Sequence, residues 1–78
     1  MHVEYDTEAD ALYVSLCQYD GRHHARPLDD RRIVHVDDDG KPVGVELLFV
    51  SDGIDLDGVP DAEAVADAIR SFPELRSA

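Results

Sequence analysis

Asp6, Glu8 and Asp10 bring three carboxylates within five residues, a density at which a hard divalent cation can be bound or an acid paired with a base. Asp6 and Asp10 also flank a predicted loop, where aspartate side chains accept hydrogen bonds from nearby backbone N–H groups, so the same spacing describes a turn. A second acidic run, Asp37-Asp38-Asp39, cannot aim three successive side chains at one ion. A third, between Asp52 and Gly58, puts Asp55, Asp57 and Gly58 at the third, fifth and sixth positions of a calcium loop. The first and twelfth positions are then Gly53 and Ala64, which offer no carboxylate, and the EF-hand pattern fails.

His2, His23, His24 and His35 are the imidazoles from which a transition-metal site would be drawn. Neighbouring strand residues face opposite ways, so at most one of His23 and His24 can join His35. The expected arrangement is a surface loop plus one strand histidine, with no metal ligand. Cys17 lies on the strand parity of Tyr13 and Ser15, and Ser15 has no glycine-flanked elbow, so neither is read as a nucleophile. Arg22-His23-His24-Ala25-Arg26, with Arg31 and Arg32, is the one basic segment. It is expected to pair with the chain's own carboxylates or with an acidic patch on a second copy, ahead of RNA.

The background to these groups is acidic. Seven Lys and Arg stand against 18 Asp and Glu, a formal charge of −11 that repels phosphate backbones and attracts basic partners. A chain of 78 residues forms one domain that buries roughly 60% of its unfolded surface, which favours a shallow surface site or a second subunit over a deep pocket. One cysteine allows no intramolecular disulfide. The start, Met1 to Asp6, has neither the basic residues nor the apolar run of a signal peptide, and no stretch reaches membrane-spanning length. The expectation is a cytoplasmic protein with neither a membrane nor nucleic acid as its main partner.

Alternation positions these groups. Val3 and Tyr5, then Leu12, Val14 and Leu16, recur every second residue, so residues 7 to 10 become a four-residue loop that sets Tyr5 opposite Leu12, Val3 opposite Val14 and Glu4 opposite Tyr13. Residues 18 to 30 lose the pattern and read as a connection, with a short edge strand available at 22 to 26 before Pro27. Ile33 to Val36 and Val43 to Val50 flank Asp39-Gly40, a hairpin signal; a two-residue loop pairs Val34 with Val45 and Val36 with Val43, and a four-residue loop shifts the register by two with the same side chains inward. Val43, Val45, Leu47 and Phe49 share a face, while Leu48 and Val50 on the other predict a central or interfacial strand. Gly44, opposite His35 or its neighbour, leaves room for a bulky side chain to lie across it. Residues 51 to 60 read as a linker and 61 to 72 as a helix, with Ala62, Val65, Ala66, Ile69 and Phe72 on one stripe and Pro73 as its stop.

The run Tyr5-Asp-x-Glu-Ala-Asp-Ala-Leu-Tyr-Val, then Asp37-Asp-Asp-Gly40-Lys-Pro-Val-Gly44-Val-Glu46-Leu, resembles the small bacterial family of domain of unknown function 2283, over roughly residues 1 to 50. The resemblance implies a β-meander with no assigned enzymatic activity, some of whose members look like the antitoxin half of toxin–antitoxin pairs. Motif positions here include Tyr5, Asp6, Glu8, Ala9, Asp10, Leu12, Tyr13, Gly40, Gly44 and Glu46.

These observations predict an α+β fold: a small antiparallel β-meander of four or five strands with one C-terminal α-helix packed on it. Its core would hold Val3, Tyr5, Leu12, Val14, Leu16, Val34, Val36, Val43, Val45, Leu47, Phe49, Val65 and Ile69. The expected function is a non-catalytic protein-binding module, antitoxin-like against a basic partner and homodimeric through a sheet edge or the Leu48/Val50 face. Its binding residues would come from Tyr5, Asp6, Glu8, Asp10, Tyr13 and Glu46, with no catalytic residue, metal or cofactor assigned. Two alternatives stand beside it: a metal-dependent hydrolase or metal-binding protein using Asp6, Glu8, Asp10 and a histidine, and a purely structural homo-oligomer.

Overall fold

Strand alternation, broken by aspartate- and glycine-rich turns, resolves into one antiparallel sheet. The structure, a computed structural model, describes residues 1–72. Its elements are β1 (His2–Asp6), β2 (Ala11–Ser15), β3 (His24–Pro27), β4 (Arg32–Val36), β5 (Pro42–Leu48), a 3₁₀ turn (Val50–Asp52) and α1 (Ala62–Arg70). The predicted α+β architecture is thus present, with all five strands.

The order across the sheet is β1-β2-β5-β4-β3. Two consecutive hairpin runs, β1-β2 and β3-β4-β5, join where β2 pairs with β5, because residues 16 to 23 carry the chain to the far edge. β5 is therefore central, as its apolar run predicts, and β3 is a fully exposed edge strand ending at Pro27. The first hairpin has the predicted register, with Tyr5 opposite Leu12, Val3 opposite Val14 and Glu4 opposite Tyr13.

The second hairpin keeps Val34 opposite Val45 and seats His35 opposite Gly44. Val36 then meets Pro42 and not Val43, across an irregularity between His35 and Val36. The cause is the turn. Asp37 Oδ1 accepts the N–H groups of Asp39 and Lys41, at 2.9 Å each, and Gly40 takes φ +83°, conditions for a turn followed by a bulge.

On one face, Leu12, Val14, Val45 and Leu47 are buried together with Val65 and Ile69 of α1, while Val3, Tyr5 and Leu16 pack at their margin. The helix docks on the sheet of its own chain. It begins after Asp61, which has φ +53°, and ends at Arg70 with Ser71 as its C-cap; the expected stop at Pro73 lies outside the described residues. Arg32 ties the linker down. Its side chain is 14% exposed, and the guanidinium binds Asp29 Oδ2 at 2.8 Å and donates to the backbone carbonyls of Asp55 and Asp57.

The C-terminal end of β5 corrects the predicted core. Phe49 turns out of the strand at φ +53° and is 51% exposed, beneath the Arg31 guanidinium at 5.3 Å. Val50, expected on the opposite face, swings instead into the main core, and Val59 of the linker joins it. Period-two counting overruns the strand here because Asp10 captures the chain. The Asp10 carbonyl accepts Val50 N–H at 3.1 Å, and its carboxylate accepts Ser51 N–H at 3.1 Å and Ser51 Oγ–H at 2.6 Å.

Candidate functional site

The predicted acidic triad separates. Asp6 Oδ1 accepts the N–H groups of Glu8 and Ala9, at 3.0 and 3.2 Å, closing the first hairpin turn. Asp10 takes a left-handed φ of +53°, which aspartate tolerates better than most residues, and its carboxylate is held by Ser51. Tyr5 Oη stands a long 3.5 Å from Asp10 Oδ1. Glu8 is exposed on the turn. The carboxylates of Asp6 and Asp10 thus work as turn and tether, and among the described residues no three His, Cys, Asp or Glu side chains gather as a metal site.

Tyr13 and Glu46, by contrast, meet on the sheet face opposite α1. Register runs Glu4, Tyr13, Glu46 across β1, β2 and β5, so two carboxylates flank one phenol. Tyr13 does not stand upright in this row. Its ring leans along β5 over Gly44, where an added Cβ would lie 1.9 Å from the hydroxyl and 2.5 Å from Cζ. Only glycine leaves that space, and the phenol reaches His35, with ring centroids 5.4 Å apart. Burial first, then the neighbouring Glu46, Cys17 and Glu4 side chains, pushes the Tyr13 hydroxyl above its ordinary pKa.

His35 is held from two sides. Its Nε2 lies 3.0 Å from Glu46 Oε1, and its Nδ1 lies 3.1 Å from His23 Nδ1. His24 points elsewhere, with Nε2 2.8 Å from Asp38 Oδ1, so one of the adjacent histidines joins His35, as strand geometry requires. Because Tyr13 leans toward Gly44 and position 11 is alanine, a cleft of about 340 Å³ opens between Glu4, Asp6, Ala11, Tyr13 and Glu46.

Residues 2–51 match the family described as Protein of unknown function (DUF2283), which covers well over half of the chain. The chain belongs to this family. Searches of the curated proteins and of the solved structures find no match. The DUF2283 description names no catalytic activity. Its resemblance positions, however, are not scattered: Tyr5, Asp6, Ala9, Leu12, Tyr13 and Glu46 all line the acidic cleft, and Gly44 seats the Tyr13 ring. Of the six expected binding residues, the structure brings Tyr5, Asp6, Tyr13 and Glu46 to one cleft and leaves Glu8 and Asp10 outside it. Glu4, also in the lining, was not among the expected residues, and His23 and His35 were expected to hold no ligand. The signal for Glu4 was its pairing with Tyr13, whereas nothing local joins His23 to His35.

Proposed function

We propose that this domain is a non-catalytic binding module whose cleft takes a cationic side chain, arginine or lysine, from a basic protein. The observation that carries this reading is the row Glu4–Tyr13–Glu46, where two carboxylates flank an aromatic ring at the mouth of a cleft of about 340 Å³. Among the described residues no Lys or Arg pairs with Glu4 or Glu46, whose partners are His2 at 3.9 Å and His35 at 3.0 Å. The charge of −11 steers such a partner toward the domain from a distance. A similar cleft of about 320 Å³ at the β4–β5 end supports no equivalent reading, because its Arg31 and Arg32 are already paired with Asp52 and Asp29. An antitoxin-like role, masking a basic partner, is the form that the family resemblance suggests.

The test is purification of the tagged protein from its native cells at low and high salt, beside a Glu4→Gln/Glu46→Gln variant, with mass spectrometry of what remains bound. One basic protein in near-equal amount, lost at high salt and lost from the variant, is the expected result. Recovery of the domain alone, or of a partner indifferent to both salt and the variant, would overturn the reading.

A further inference from the structure

We propose that His23 and His35 form a bidentate site for one borderline transition cation of the zinc, nickel or copper class. Zinc–imidazole bonds of about 2.0–2.1 Å put two tetrahedral nitrogens roughly 3.3 Å apart, and the square arrangement of copper or nickel puts them roughly 2.9 Å apart. The two Nδ1 atoms here are separated by 3.1 Å, between those values. The rings meet at 73° with centroids 5.0 Å apart, closer than a collinear approach at that nitrogen separation would give, so the nitrogens approach at an angle.

Glu46 supplies the outer support such a site requires. Its carboxylate, 3.0 Å from His35 Nε2, accepts the ring N–H and leaves Nδ1 as the lone-pair nitrogen facing His23. Without a cation, His23 Nδ1 must carry the hydrogen that joins the two rings. With one, the His23 proton passes through solvent from Nδ1 to Nε2, and both Nδ1 lone pairs go to the metal. The other coordination positions belong to water or to a donor from outside, because no third His, Cys, Asp or Glu side chain gathers there among the described residues. Two imidazoles without a carboxylate ligand select against magnesium and calcium. The site departs from the expectation of no metal, and it does not use the Asp6–Glu8–Asp10 run.

Binding closes the β2–β3 connection, which carries His23, onto β4, which carries His35, so the ion should raise the melting temperature as well as register in calorimetry. The experiment titrates zinc, nickel, copper and magnesium chlorides into the wild-type protein and into His23→Ala, His35→Ala, Glu46→Gln, His2→Ala and Cys17→Ser. Expected are one transition ion per chain, no response to magnesium, at least a tenfold loss of affinity in either histidine variant, and roughly tenfold in Glu46→Gln. His2→Ala and Cys17→Ser should bind like the wild type. His23 is exposed and outside every strand, so His23→Ala keeps the test decisive even if His35→Ala fails to fold. Absence of binding to the wild type, or His23→Ala binding as tightly as the wild type, overturns the proposal.

Discussion

The two faces of the sheet are built from alternate residues of the same strands, yet they solve different problems. On the covered face, Leu12, Val14 and Val45 are wholly buried beneath α1 and the linker, and their stabilisation comes from apolar area removed from water. On the open face, Glu4, Tyr13, Glu46 and His35 keep their polar groups and are positioned by specific contacts, a glycine seat and two imidazole bonds. One face depends on volume and the other on direction. Substitutions should therefore differ in kind between them.

The largest effect belongs to the covered face. Leu12→Ala should cost about 2–5 kcal/mol, enough to unfold much of a domain this small, and urea denaturation followed by circular dichroism measures it. Gly44→Ala tests the open face, since the new Cβ collides with the Tyr13 ring and should cost about 1–3 kcal/mol. Adding Tyr13→Ala should recover most of that loss. Additive losses in the double-mutant cycle would show that the ring does not depend on the glycine.

Asp10→Ala should cost about 1–3 kcal/mol, from the lost Ser51 bonds, and Asp10→Asn less, because asparagine tolerates the left-handed backbone. An Asp10→Ala variant as stable as the wild type would break the assignment of Asp10 as a tether. The smallest effect is pH-dependent. The Arg32 side chain foremost, then the Arg31 N–H, hold the Asp29 carboxyl below its ordinary range. A carboxyl lowered in the folded state stabilises fully above its unfolded value, about pH 4, and that contribution vanishes as pH falls through the folded value. Wild type and Asp29→Asn should thus differ at neutral pH and converge in acid, as read from thermal melts across pH.

The covered face was largely legible in the sequence because burial imposes a period of two, and the Tyr5–Leu12 and Val3–Val14 pairs follow from loop length alone. Legibility ended where distant residues decide. Phe49 leaves the core because Asp10 holds Val50 and Ser51, and no local pattern near Phe49 announces a partner about forty residues away. The same limit applied to the order of the strands, since the pairing of β2 with β5 is settled by the whole sheet. At the candidate site, Tyr13, Glu46 and the Gly44 vacancy were visible as types and spacing. That one of His23 and His24 could join His35 was visible too, but which of them does so was not, because the contact joins a connection to a strand twelve positions further on.

The division between faces is tested most directly by amide chemical-shift mapping of the labelled protein as an arginine-rich peptide is added at low salt. The account predicts the largest shifts at Glu4, Tyr13 and Glu46, fading as salt is raised and absent from Glu4→Gln/Glu46→Gln. Shifts spread evenly over the acidic surface, or centred on the α1 side, would contradict it.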